Sequence, residues 1–504
     1  MSRQSQALLV MLILIAAALR TNGMLFNTFH SDEALFSSWS RLIAVLRDPL
    51  LQDQLIDKPP LLFYLQALFY PLMGPVMWAA RLPNYIASLL LIPLTAVLAW
   101  RMYRDESTMI LAAGFLVFSP LAIQYSGSAF IDPLMTCLIV ATLVMVVSCR
   151  PPTRSHSRKE PRARKGRRAL VAGVLFGLAV ASKYQAWLFA PLVFGLAHAN
   201  EWRKGEWFRW LTGFLPMFGL LLAWELGRGG QFSLLENQLQ SYGGVRLAWS
   251  WELWPRLEAW AGQWTHVLES PVLEFLLLLA LPPFIALLIE QHDRPAALDR
   301  LLVLFVFAYF LVHWFIAVPV WDRYVLPILP LLGLVMARFV WRVASYVRPT
   351  VSEYIELPLG SKHLVILIPL ILIFFQAAGI VDAYNGNLPL GARRAADHGA
   401  AEISEALKDA PYGTVLYDHW YSWQWRYHLF DMKVFVSWFP DPAALVEDLQ
   451  VFGADKHPRY VVLPDSAAAR PVFRALNEAQ FDLQRIAQAA GQGDEPGMVL
   501  YQVQ

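Results

Sequence analysis

Long, nearly uncharged apolar runs constrain this chain more than any motif in it. A helix needs about 20 mostly apolar residues to cross a bilayer. Eleven stretches approach that length: roughly 7–26, 79–100, 108–125, 130–148, 169–182, 185–199, 210–226, 271–290, 301–319, 324–343 and 363–381. Only 16% of the 504 residues are charged and 57% are hydrophobic, whereas a soluble domain carries about 25% charge. The expected fold is therefore a polytopic α-helical membrane protein with about eleven spans. Such apolarity excludes a disordered chain. A net charge of +2 excludes a strongly basic nucleic-acid binder. The runs 169–182 and 185–199 are short and flank Ser182-Lys183-Tyr184, so they read as two spans or one broken span. The first run, Ala7–Leu19, has the length of a secretory signal core; an uncleaved first span is expected.

Charge placement orients the runs. With the N-terminus in the cytoplasm, the inner connections hold Arg101 and Arg104, the stretch 149–168, Arg203, Lys204 and Arg209, Arg294 and Arg300, and Arg338, Arg342, Arg348 and Lys362. The 149–168 loop alone has nine Lys or Arg, and the short outer connections carry few. This is the positive-inside pattern. The loop reads first as a topology signal and second as an anionic-lipid site. Cys137 and Cys149 would lie about 18 Å apart along a continuous helix, too far to form a disulfide.

Alternation leaves three long outer segments. The first, 27–60, leads into Leu61–Met73, which suits a helix lying at the interface. The second, 227–270, is rich in Trp, an interfacial composition. The third runs from about 382 to the end. Its β-type runs Val415–Tyr417, Val434–Val436, Tyr460–Leu463 and Val499–Val503 alternate with helical patterns at 393–409, 420–430, 441–451 and 468–479, as in a small α/β domain. The expected division is a membrane domain over 1–381, including an outer loop over 27–78, and an α/β domain over 382–504. Asp418, His419 and Asp431 read as surface or turn positions before metal ligands.

Charged residues at the membrane boundary are costly and so are functional candidates. The outer face gathers Asp32 and Glu33, Asp57 and Lys58, Asp132, Lys183, and Arg323 with Tyr324. Each has a plain structural alternative. Asp132 before Pro133 suits a helix start, and Lys58 can snorkel. Together they suggest chemistry: a carboxylate can take a proton from a hydroxyl, and Lys and Arg can hold a phosphate.

In order and spacing, Ser31-Asp32-Glu33, Asp57-Lys58-Pro59-Pro60-Leu61, Ala80-Arg81-Leu82-Pro83, Ile131-Asp132-Pro133, Ala181-Ser182-Lys183 and Arg323-Tyr324-Val325-Leu326-Pro327 resemble the GT-C integral-membrane glycosyltransferases. The resembling branch is glycosyltransferase family 39, with its protein O-mannosyltransferases and lipid A aminoarabinose transferases. The resemblance covers about 1–381. It implies a polyprenyl-phosphate-sugar donor, a lipid, glycan or protein acceptor, and a site on the periplasmic side of a bacterial inner membrane. It makes Asp32 the acceptor base, or the residue that positions the acceptor, and Glu33 its companion orienting the loop. Asp57 and Lys58 would lie near the donor phosphate, Asp132 beside the same cavity, and Lys183 and Arg323 would neutralise the phosphate. Some aminoarabinose transferases pair the acidic residue before Lys-Pro-Pro with a His to bind a metal. Here Asn237 stands near that place, with His266 later in the same loop. No obligatory cofactor or metal is expected, a divalent ion being optional, and Asp57 should pair with a cation. Competing readings are a transporter or flippase, which would favour a midplane site and related halves, and a non-catalytic envelope assembly protein.

Overall fold

The computed structural model describes residues 1–147, 162–229, 234–240, 244–354, 361–452, 456–491 and 496–504. Cys149 and the basic loop as far as residue 161 lie outside the described residues. The chain builds a helical bundle followed by a five-stranded sheet domain.

The first half contains α1 (Arg3–Phe26), α2 (Ser31–Ala44), α3 (Leu61–Met73), α4 (Met77–Tyr103), α5 (Glu106–Phe118), α6 (Pro120–Ser126), α7 (Asp132–Val146), α8 (Arg162–Ser182), α9 (Ala190–Ala199) and α10 (Lys204–Gly227). Then follow α11 (Leu234–Gln240), α12 (Ser250–Thr265), α13 (Pro271–Glu290), α14 (Arg294–Phe315), α15 (Leu329–Tyr354) and α16 (Ser361–Asn385). A 3₁₀ turn, Tyr184–Phe189, separates α8 from α9.

The apolar runs differ in how much long, straight helix each one forms. Among the described residues, six helices are long and apolar enough to cross: α1, α4, α10, α13, α14 and the run Asp322–Arg342, which ends in α15. Helices α5 and α6, bent by 62° to one another, form an apolar pair with the shape of a broken span or a re-entrant loop. The bend has a local cause. Pro120 has no N–H for the Leu116 carbonyl, and the Arg20 guanidinium donates to that carbonyl instead, at 2.8 Å. Helix α7 has only 15 residues, about 22 Å. It lies almost wholly inside protein, so a short helix leaves no backbone exposed to lipid. The 169–199 region breaks at Lys183, where α8 ends. Helices α8 and α10 approach closely because they are glycine-lined: a Cβ at Gly173 would lie 2.0 Å from the Trp210 carbonyl, and one at Gly213 2.1 Å from that of Leu170. Small residues are the usual means of such contact between membrane helices.

The C-terminal part contains α17 (Ala400–Ala406), β1 (Thr414–Asp418), α18 (Ser422–His428), β2 (Val434–Trp438), α19 (Pro442–Phe452), β3 (Arg459–Pro464), α20 (Arg470–Glu478), β4 (Leu483–Ala489) and β5 (Met498–Val503). The sheet order is β2-β1-β3-β5-β4. β1 pairs in parallel with β2 and β3; β5 pairs antiparallel with β3 and β4. The four apolar runs became strands. β4 went unseen because it is a polar edge strand, Leu-Gln-Arg-Ile-Ala-Gln-Ala, with an irregularity at Arg485/Ala487. Protected edges have this composition. The two sheet faces bury separate cores, one around Leu416, Trp425 and Leu500, the other around Tyr417, Leu445 and Val461.

The sheet domain is seated on the helices. Helix α18 lies along α2: Gln424 donates to the Phe29 carbonyl at 2.8 Å, Arg41 donates to the Tyr427 carbonyl at 2.9 Å, and Arg41 also pairs with Asp431. Phe29 and Tyr427 meet edge to face with centroids 4.8 Å apart.

Candidate active site

Helix α2 starts at Ser31 because His30 caps it. The Nδ1 of His30 accepts the Asp32 N–H at 3.1 Å, and Glu33 accepts the His30 N–H at 2.9 Å. This capping box sends Asp32 and Glu33 in different directions. The Glu33 side chain is 0% exposed and Arg81, 3.2 Å away, 1%. Glu33 also accepts the Ala129 N–H at 2.6 Å, while Arg81 donates to the Thr28 carbonyl at 2.7 Å. Glu33 thus bolts α2 to α4 and to the segment before α7. Removing one partner of a buried pair strands the other charge, at a cost of about 3–5 kcal/mol. Glu33→Gln should therefore lower the thermal unfolding midpoint in detergent by several degrees. A midpoint equal to that of the unaltered protein would contradict the bolt.

Asp32 faces a cluster of charge. Its carboxylate lies 2.9 Å from the Arg323 guanidinium and is 28% exposed. Burial alone would raise its pKa. Arg323 foremost, with His30 and Lys58, overrides this and holds it below the usual carboxylate range. Asp32 is thus an ionised acceptor for a proton. Arg323 is placed by a 3₁₀ turn, Asp322–Tyr324, and rests near the Phe130 ring, 4.9 Å from its centroid. Its neighbour Asp322 accepts the Arg323 N–H at 2.7 Å and the Gly391 N–H at 3.0 Å. Asp322 fastens the turn to the chain beyond α16, a role that sequence reasoning missed.

Lys183 and Asp132 form a second ion pair, 2.6 Å long and buried. Asp132 begins α7 and Lys183 follows α8, so the helix break at 183 brings the ammonium to the carboxylate. The ammonium also lies over the Tyr324 ring, 4.5 Å from its centroid. Burial pulls the Lys183 pKa down to about 8 against the opposing pull of Asp132. Nearby Arg323 and Lys58 act in the same direction as burial. Asp57 pairs with Lys58, the cationic partner expected of it. The structure therefore brings Asp32, Asp57, Lys58, Asp132, Lys183, Arg323 and Tyr324 to one place, with Glu33 behind them.

Behind Tyr324 lies a polar layer with no sequence signal beyond ordinary helix residues. Gln185 lies 3.1 Å from His313 Nε2 and also donates to Tyr309. Tyr309 donates to the Tyr324 carbonyl at 2.8 Å.

The remaining candidates are engaged elsewhere. Asn237 donates to the Ile56 carbonyl at 2.9 Å, beside Asp57. His266 pairs with Glu269 at 2.5 Å. In the sheet domain, Asp418 caps the turn into α18, His419 contacts the Phe439 carbonyl and Asp431 pairs with Arg41. Among the described residues no group of three or more His, Cys, Asp or Glu side chains is placed to hold a metal.

Residues 57–224 match the family model described as dolichyl-phosphate-mannose-protein mannosyltransferase. No curated protein sequence matches the chain. Among solved structures it is similar to ArnT from Cupriavidus metallidurans in the apo state, with a TM-score of 0.62 and 15% identity over 98% of this chain and 97% of that one. The same enzyme bound to undecaprenyl phosphate gives 0.60 and 14%, over 100% and 98%. The Archaeoglobus fulgidus oligosaccharyltransferase in its apo form gives 0.55 and 11%, over 91% and 69%. At these identities the structural likeness is one of fold. The family match covers 57–224, and over the chain as a whole the likeness is that of a shared fold.

Proposed function

We propose that the chain transfers a sugar from a polyprenyl-phosphate donor to an acceptor hydroxyl at the end of the bundle that carries the sheet domain. One observation carries the reading. An ionised carboxylate, Asp32, lies against Arg323, with Lys58 and Lys183 in electrostatic reach. A base for the acceptor and cations for a phosphate leaving group therefore share one site. That ArnT has been crystallised with undecaprenyl phosphate supports the donor class.

Asp32 takes the acceptor O–H proton as the oxygen attacks the anomeric carbon. The bond from that carbon to the phosphate oxygen breaks, and its electron pair leaves with the phosphate. Arg323, Lys183 and Lys58 stabilise the charge that builds there, where preorganised cations act most strongly. Attack opposite the leaving group inverts the anomeric centre. Phosphate is a good leaving group, so no strong general acid is needed. Glu33 and Arg81 hold α2, and so Asp32, in place. The positive-inside pattern supports a cytoplasmic N-terminus and a site facing the periplasm of a bacterial inner membrane.

Mass spectrometry of envelope glycolipids and membrane proteins from a deletion strain tests the reading. A hexose, pentose or uronic-acid mass should vanish and return with the intact gene. An unchanged glycan inventory would contradict it.

The Lys183 pKa adds a pH prediction. Lys183 is cationic below about pH 8. Undecaprenyl phosphate should therefore bind more weakly as pH rises through that value, and Lys183→Arg, which stays charged, should flatten the decline. Equal slopes for the two proteins between pH 6 and 10, measured as dissociation constants, would exclude Lys183 from phosphate binding.

A further inference from the structure

The sheet domain carries an exposed aromatic platform that the chemistry above does not use. Trp420, Trp423 and Trp438 are 36%, 39% and 58% exposed. The backbone turn that carries Trp420 is fixed by hydrogen bonds. Asp418 accepts the N–H groups of Trp420 and Tyr421 and the Ser422 hydroxyl, at 3.0–3.2 Å. The His419 ring contacts the Phe439 carbonyl at 2.8 Å. It lies nearly parallel to Trp438, at 12° with centroids 6.1 Å apart, and edge-on to Trp420 at 4.7 Å. Trp438 ends β2, an edge strand of the sheet.

One of the three rings, Trp423, lies beside the loop that feeds the site. Trp423 lies at the first turn of α18, with the Arg426 guanidinium 5.1 Å from its ring centroid. Arg426 donates to Gln54 at 3.0 Å, on the loop that carries Asp57 and Lys58. The same helix donates Gln424 to the carbonyl of Phe29, three residues before Asp32. A molecule lying on these rings would be led toward the base.

We propose that this face binds the saccharide part of the acceptor. The proposal rests on the glycosyltransfer reading above. Flat, amphipathic rings suit the C–H faces of a pyranose, and His419, Arg426 and Gln54 at their edges suit its hydroxyls. Rigid aromatic side chains also give contact area at low entropic cost. Exposed apolar patches of this kind mark interaction sites.

The test uses the full-length protein in detergent on an array of immobilised bacterial oligosaccharides, with undecaprenyl phosphate affinity measured in parallel. The unaltered protein should bind at least one saccharide class. Trp420→Ala with Trp423→Ala should weaken that binding by about tenfold or more, as loss of aromatic anchors does, with donor affinity and thermal midpoint unchanged. Trp420→Phe should retain it. Failure of the unaltered protein to bind any saccharide, or equal binding by the double variant, would overturn the proposal. So would quenching of these indoles by brominated lipid in vesicles, which would make the face a membrane contact, or loss of a dimer in Trp438→Ala, which would make it a contact between copies. If the array fails while polyprenyl-phosphate sugar is still consumed, only the platform falls. If the sugar is not consumed, the glycosyltransfer reading itself falls.

Discussion

Asp32→Asn should lower the rate of sugar transfer by about 10²–10⁴-fold, the usual contribution of a positioned general base, without weakening donor binding. The asparagine keeps the size of the side chain and loses the proton acceptor. It also removes the carboxylate that lies 2.9 Å from Arg323, leaving the guanidinium wholly available to a phosphate. The signature is therefore a split: turnover collapses while the undecaprenyl phosphate dissociation constant holds or falls. Because Asp32 is partly exposed and outside the Glu33–Arg81 bolt, the thermal midpoint should move little. Turnover equal to that of the unaltered protein would remove Asp32 from the chemistry. A large fall in donor affinity would make it a binding residue instead.

Arg323→Ala should give the opposite split and a second effect. A hydrogen bond to a charged group contributes about 1.5–3 kcal/mol, so donor affinity should fall by roughly 10–100-fold. Arg323 is also the leading cause of the low Asp32 pKa, acting against burial. Without it, burial should raise that pKa. A base works only when deprotonated, so the acid side of the pH–rate profile should move to higher pH. In the intact protein that fall in rate should lie below the usual carboxylate range. Unchanged donor affinity together with an unshifted acid limb would show that Arg323 has neither part.

The charged residues that the fold gathers at one place were legible in the sequence. Asp32, Lys58, Asp132, Lys183 and Arg323 each stand at the edge of an apolar run, where a charge is costly enough to be conspicuous. Asp322 was equally charged and adjacent, yet its partner is a backbone N–H at Gly391, far along the chain. Such a partner leaves no local trace. Gln185, Tyr309 and His313 sit inside helical patterns that read as ordinary span residues, and only tertiary packing aligns them behind Tyr324. Which runs make long straight helices was hidden for a related reason. Hydropathy registers apolar length and is blind to the Pro120 bend. It also cannot tell that α7 is short because protein, rather than lipid, surrounds it. In the sheet domain, apolar strands were visible and the polar edge strand β4 was not, since nothing packs on its outer side. The docking of α18 on α2 rests on single side-chain contacts from Gln424, Arg41 and Tyr427, which carry no periodic pattern.

The central claim is that this chain consumes a polyprenyl-phosphate sugar at the Asp32–Arg323 cluster. The most direct measurement follows an isotopically labelled set of undecaprenyl-phosphate sugars in proteoliposomes of the purified protein, with envelope extract as acceptor, by mass spectrometry. One donor should be converted to undecaprenyl phosphate, and the label should reach a product resistant to mild acid with its anomeric configuration inverted. All donors remaining intact over the time course, or label transfer with retained configuration, would contradict the claim.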